Sequence, residues 1–325
     1  MMTLGKRICT IGGGSGMPIV NRALIRAGFE NIDSIVTPFD SGGDSGRIRT
    51  DERGNILAFS DYWRSMISLW KNGKQKEIWE EMLKFRDGRD RNFGNIFFQF
   101  MAEKVGNLSR VDTLFSQLTG AKICGRVIPV SLEPSNVCFK TRSGRSYEGE
   151  HRLDELRMSD DQVKDVWLKP KVAINCEVIE ALGKAEVIIV CPGSMYGSVV
   201  INFLVEGVAQ AYRRSRAKKI LLTNLMTTAF ENKGFSQEEI VEVFEKYIKM
   251  KKPFDLVVMA DLGILPTRKL KKVMDFYRLE HSELLKICQK AKVKTIVEDV
   301  AMIEEKNMRL RHSEEKLTRL FKKIF

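Results

Sequence analysis

The run Arg7-Ile-Cys-Thr-Ile-Gly-Gly-Gly-Ser-Gly16 constrains this chain more than any other stretch. An apolar strand pattern enters glycines directly, and apolar residues at helical spacing (Val20, Leu24, Ala27) follow. That is the local form of strand, loop and helix. Glycines without a Cβ let the backbone turn sharply and bring its N–H groups against a ligand. The helix start adds partial positive charge for an anion. A tight structural turn is the competing reading of the same residues. The Gly-x-Gly-x-x-Gly spacing of dinucleotide sites fails at Met17, and no Gly-Lys-Ser/Thr of a P-loop occurs. Gly12, Gly13, Gly14, Ser15 and Gly16 therefore read as a phosphate loop of a different kind.

Two more loops of this sort follow predicted strands. Ile32 to Thr37 ends in Asp40-Ser-Gly-Gly-Asp-Ser-Gly-Arg47, where Gly42, Gly43, Ser45 and Arg47 suit an anion and Asp40 and Asp44 suit a divalent cation. Asp61 opens a helix and is read either as its cap or as a further metal ligand. Glu186 to Cys191 ends in Pro192-Gly193-Ser194-Met-Tyr-Gly-Ser198, and Lys219 to Leu222 ends in Thr223-Asn224. At least five strands in β-α order predict an α/β fold, a doubly wound, mostly parallel Rossmann-like sheet. In such sheets ligands sit at the carboxyl ends of strands, which would bring these loops to one crevice.

The chain reads as a single α/β domain over 1–325, without internal repeats or linkers. A helical insertion at 60–118, rich in aromatics and carrying Asn95 near a helix start, is placed to cap the site. A small antiparallel β hairpin is expected at 125–150, from Arg126 to Ser131, Asn136 to Thr141 and Ser146 to Glu150. A C-terminal helix is expected at 302–325.

Apolar residues make up 43% of the chain, enough for a substantial core. The longest apolar runs, such as Val187 to Cys191 and Leu256 to Ala260, fall far short of the roughly 20 residues of a spanning helix. The N-terminus enters strand pattern without a leader-like apolar stretch, so a cytoplasmic location is expected. The cysteines lack C-x-x-C spacing and mostly lie in apolar runs, as reduced core residues do. Residues 246–325 hold 20 of the 54 Lys and Arg but 11 of the 42 Asp and Glu. Nucleic-acid binding is one reading of that excess. Acids interleaved at helical spacing favour the other, a solvated face.

Taken together, Gly12-Gly-Gly-Ser-Gly16, Asp40 to Arg47, Gly94-Asn95, Leu132-Glu-Pro134, Gly149-Glu150, Pro192-Gly-Ser194, Asn202 and Asn224-Leu-Met-Thr227 resemble the family of CofD-like and YvcK-like proteins. The resemblance runs in order over about residues 5 to 300. CofD is a 2-phospho-L-lactate transferase that uses a guanosine-diphosphate-linked lactyl donor and magnesium. YvcK-like proteins share the fold, bind UDP-sugars and influence carbon metabolism and cell-wall growth. Glu133, Gly149, Glu150 and Gly46-Arg-Ile-Arg49 look closer to the YvcK branch. The chain departs from the family at Ser41, where an aspartate is usual, and at Asp44, where a small residue is. The resemblance implies a nucleoside diphosphate ester or nucleotide sugar on Gly12 to Gly16, Gly193 and Ser194, with Asn95, Asn202 and Asn224 nearby. It also implies Mg2+ on Asp40 with Asp44 or Asp61. Asp40 is then the most consequential carboxylate, catalytic in a transferase. The implied partners are that ligand and, in a homo-oligomer, further copies of the chain.

Overall fold

The computed structural model describes residues 5–51, 57–71, 73–106 and 108–325. The single-domain reading over 1–325 also takes in residues 1–4, 52–56, 72 and 107, which lie outside the described ones. Seven strands form one sheet: β1 (Arg7–Gly12), β2 (Asn31–Val36), β3 (Gly125–Pro129), β4 (Val187–Val190), β5 (Lys218–Leu222), β6 (Leu256–Ala260) and β7 (Thr295–Glu298). Across the sheet their order is β7-β6-β5-β4-β1-β2-β3, and every pair is parallel. The order reverses at β1 and β4. That reversal is the switch point at which a doubly wound sheet opens a crevice.

Both faces of the sheet are covered because its strands alternate between two cores. Cys9, Ile11, Ile188 and Val190 enter the core covered by the helices Cys176–Lys184, Val208–Arg214 and Gln237–Ile248. Ile8, Val187, Ile189 and Ile220 enter the other, beneath the helices Gly16–Ala27, Ser60–Leu69, Phe93–Val105 and Glu314–Ile324. Full burial of each such side chain contributes about 1.5–3 kcal/mol. A polar cluster crosses the second face. The Nδ2 of Asn21 lies 3.0 Å from the hydroxyls of Ser34 and Ser68 and 3.2 Å from that of Ser65. Thr10 donates to the Asn21 carbonyl at 3.0 Å. These groups have no access to water, so each needs its partner. The cluster thereby sets the helix Ser60–Leu69 against β1 and β2, and with it the position of Asp61.

Two expectations for small elements are corrected. The expected hairpin is formed by Asn136–Thr141 and Ser146–Glu148 around the turn at 143–145, but Gly125–Pro129 is no part of it: that strand joins the main sheet, Val127 and Ile128 entering opposite cores, as in a strand buried on both faces. Val163–Lys169 pairs antiparallel with the other edge of Asn136–Thr141, which makes the hairpin a three-stranded sheet. Residues 302–325 are not one helix. Ala301–Glu304 pairs antiparallel with Arg309–His312, and the helix runs from Glu314 to Ile324 behind a Ser313 cap. Leu310 and His312 are buried while Arg311 is exposed, a period of two that a helix cannot satisfy. Leu310 packs with Val273, Tyr277 and Leu225 in a third, smaller core. Several basic groups of this quarter pair with acids, among them Lys316 with Asp299 at 2.7 Å and Lys323 with Glu298 at 2.8 Å. No helix among the described residues is long and apolar enough to cross a membrane.

Candidate functional site

A crevice of about 420 Å³ opens at the switch point. Ser15 and Gly16 line one wall, Gly193, Ser194 and Asn224 another, and Arg157, Glu231, Glu280, Arg309, Arg311 and His312 complete it. The first and third loops touch. A Cβ on Gly16 would lie 2.1 Å from the Pro192 carbonyl oxygen, so only glycine permits the approach. The helix Gly16–Ala27 starts here, and Ser15 makes no side-chain cap. Uncapped N–H groups with the helix dipole behind them suit an anion.

The third loop differs from its sequence reading. Asn224 accepts from the Gly193 N–H at 2.9 Å and donates to the Gly193 carbonyl at 2.7 Å. Its amide clamps the loop. The carboxylate of Glu231, 6% exposed, accepts from the Ser194 hydroxyl at 2.6 Å and from the N–H groups of Met195 and Tyr196, both at 3.2 Å. Gly197 donates to the Ser194 hydroxyl at 3.0 Å. The donors expected to hold phosphate are thus already engaged by an internal carboxylate, whose pKa burial raises.

A second acid group adjoins the first loop. Asp61 is 7% exposed, and a Cβ on Gly13 would lie 2.3 Å from its Oδ2. Burial, and then the charge of Asp40, push its pKa up to about 6, against a hydrogen bond from the Gly14 backbone. Asp40 accepts from the Gly42 N–H at 2.8 Å and from the Ser60 hydroxyl at 2.5 Å. Glu150 completes the group. Burial, followed by repulsion from Asp40, Asp154 and Asp61, pushes it up to about 9. In the unfolded chain Glu150 loses its proton near 4.5, whereas the folded protein keeps it until about 9. The contribution of Glu150 to stability is therefore greatest below that window and falls as pH rises through it. Glu150→Gln is expected to be more stable than wild type at about pH 8 in magnesium-free buffer, the difference shrinking toward about pH 4. Urea denaturation across that range measures it; equal stabilities at both ends would place Glu150 in contact with water.

Other residues singled out in the sequence lie off the crevice wall. Gly12, Gly13, Gly14, Gly42 and Gly43 shape the two loops behind it, and Gly12, Gly14 and Gly43 take positive φ. Asp44 turns away from Asp40. Its Oδ2 accepts from Asn95 at 2.9 Å, its Oδ1 lies 3.7 Å from Arg91, and Ser45 lies 3.5 Å from the same Asn95 amide. Asn95 in turn accepts from the Trp63 indole at 3.0 Å, so it ties the second loop to the helical segment. Arg47 pairs with Asp90 at 2.9 Å on the surface. Asn202 is fully buried and donates to the carbonyls of Ser198 at 2.8 Å and Val199 at 3.1 Å, bracing the third loop from within. Arg157, Glu231, Arg309, Arg311 and His312 escaped the sequence reading. The alternation Arg-Leu-Arg-His at 309–312 was the available signal for the last three.

A divalent cation fits part of this acid group. Among the described residues no set of three or more His, Cys, Asp or Glu is arranged to hold a metal ion. Mg2+, however, commonly takes one or two carboxylates together with ligand phosphates. Asp40 and Asp61, which repel one another beside the glycine loop, supply oxygens of that kind; Asp44 does not join them.

The sequence pattern of the family described as "2-phospho-L-lactate transferase CofD" matches residues 8–305. A Thermotoga maritima protein named "Putative gluconeogenesis factor" is 26% identical over 98% of this chain and 99% of its own length. A "Gluconeogenesis factor" of Listeria innocua is 28% identical over 74% of each chain. The crystal structure of a UPF0052 family member from Bacillus halodurans superposes with a TM-score of 0.85 at 25% identity, covering 97% of this chain and 99% of that one.

Proposed function

The chain belongs to the family of the 2-phospho-L-lactate transferase CofD, and from that premise we propose that it binds a nucleoside diphosphate ester of the UDP-sugar type in the crevice at the switch point. On this reading it is a nucleotide-sugar-responsive regulator of carbon metabolism or cell-wall growth. The observation that carries the proposal is the crevice itself, which faces the uncapped start of the helix Gly16–Ala27 with the guanidinium groups of Arg157, Arg309 and Arg311. Guanidinium groups suit phosphate oxygens in both charge and fork geometry. Arg309 is already oriented. It makes paired contacts to Glu280 at 2.5 and 2.9 Å and lies 4.6 Å from the centre of the Phe276 ring. The diphosphate then rests on Ser15 and Gly16 rather than on the third loop, whose donors Glu231 and Asn224 hold.

A second reading, magnesium-dependent transfer of the phospholactate type, draws on Asp40 and Asp61. Mg2+ bound there would neutralise phosphate charge at the ester being transferred. The protein's own part is to fix the nucleotide on the Gly16 helix start and to keep Asp40 oriented through Gly42 and Ser60.

Calorimetry with a panel of UDP- and GDP-linked sugars and acids, with and without Mg2+, tests both readings. Wild type is expected to bind a UDP-sugar, and Mg2+ to tighten binding about tenfold. Asp40→Asn keeps the turn, since asparagine also caps it, and is expected to lose the Mg2+ gain with little change in Tm. A wild type that binds no ligand of the panel overturns the proposal. Binding indifferent to Mg2+ in both proteins removes the transferase reading.

A further inference from the structure

We infer that His312 recognises an uncharged hydrogen-bond donor of the crevice's ligand, a ribose or sugar hydroxyl or a base N–H, by accepting it at Nε2. The inference rests on the proposed function and adds to it the residue that reads the ligand's nucleoside or sugar end.

His312 lies on the crevice wall yet is only 8% exposed. Its Nε2 is buried and has no hydrogen-bond partner. With Nε2 unpartnered, the favourable influence of the Thr223 backbone on the ring falls to the other nitrogen; we assign the proton there, which leaves Nε2 as the acceptor. Burial lowers the pKa to about 4, so the ring stays neutral near pH 7. A buried acceptor without a partner is costly in a folded protein and calls for an explanation, which a ligand donor supplies.

The chemistry of the neighbours narrows what that donor is. A phosphate oxygen is an acceptor and would repel the Nε2 lone pair. Phosphate instead suits Arg309 and Arg311, which flank Leu310 on the same strand. Thr223 directly follows β5 and precedes Asn224, the residue that clamps Gly193. The imidazole is therefore held by the same segment that shapes the third loop, a rigid placement appropriate to discrimination.

The test uses the full chain and UDP-glucose as probe, beside UDP, 2′-deoxy-UDP-glucose and N3-methyl-UDP-glucose. His312→Phe keeps a flat ring and removes the acceptor; it is expected to weaken UDP-glucose about tenfold. His312→Gln, with an amide oxygen near the Nε2 position, is expected to recover most of that loss. The analogue lacking the recognised donor should bind wild type and His312→Phe alike, which identifies the donor as sugar, ribose or base. A nitrogen-15 spectrum of histidine-labelled wild type supplies a reading free of substitution: Nε2 of His312 is expected to shift with UDP-glucose and not with inorganic diphosphate. Unchanged affinity in His312→Phe, or an Nε2 resonance that UDP-glucose leaves in place, overturns the inference while the proposed function stands. A wild type that binds none of the probes removes both.

Discussion

Gly16→Ala is expected to abolish nucleotide binding and to cost about 2 kcal/mol of stability, the usual scale for forcing atoms into filled space. The added Cβ would lie 2.1 Å from the Pro192 oxygen, 2.8 Å from its carbonyl carbon and 3.0 Å from its ring. None of those atoms is the end of a flexible side chain. The two loops also cannot simply part, because each continues a strand, and β1 and β4 are paired from Ile8 with Val187 to Ile11 with Val190. Relief must come from reshaping the first turn of the helix Gly16–Ala27, the part proposed to hold phosphate. Gly14 is a milder position. There a Cβ would meet only the Ser198 hydroxyl at 3.5 Å, and the cost lies in its φ of +63. Gly73→Ala serves as the control, with nothing within 4 Å. Thermal unfolding and calorimetry on the three variants order them; wild-type affinity in Gly16→Ala would show that the contact between the loops does not shape the crevice.

Glu231→Ala is expected to destabilise the protein by about 3 kcal/mol, because it strands several donors at once. The Ser194 hydroxyl and the N–H groups of Met195 and Tyr196 lose a common acceptor in a site shielded from water. The loss stays below the simple sum of these contacts because the folded protein also bears the cost of burying the carboxylate, whose pKa burial raises. Glu231→Gln retains one acceptor oxygen and should lose about half as much. A further readout separates this role from plain packing. The vacated Ser194 hydroxyl and the N–H groups of Met195 and Tyr196 suit a small carboxylate, so added acetate is expected to raise the Tm of Glu231→Ala and not that of wild type. Urea titration of the variants gives the stabilities. A loss below about 0.5 kcal/mol, the scale of an ordinary surface change, would mean that water reaches those donors.

Glycine runs after apolar strands, and apolar residues at periods of two and 3.6, were enough to locate β1, β2, β4, β5 and β6 and to place ligand chemistry at their carboxyl ends. Those signals are local: backbone freedom and side-chain periodicity act within a few residues. For the C-terminal segment the local signals conflicted. Residues 314–324 are strongly amphipathic and helical, while 309–312 alternate over too few positions to outweigh them. The helical reading consequently absorbed the strand that carries Arg309, Arg311 and His312.

By itself the sequence determined the βα alternation, the glycine loops and a buried core, because each follows from the conformational and solvation preferences of neighbouring residues. Tertiary structure alone decided which polar groups meet. Glu231 reaches Ser194 across 37 positions, Asn224 reaches Gly193 across 31, and Asn95 draws Asp44 away from Asp40 across 51. A carboxylate in a sequence is equally suited to a metal, a helix start or an amide. Only the packing of distant elements, which removes water and leaves each group a few defined partners within reach, selects among them.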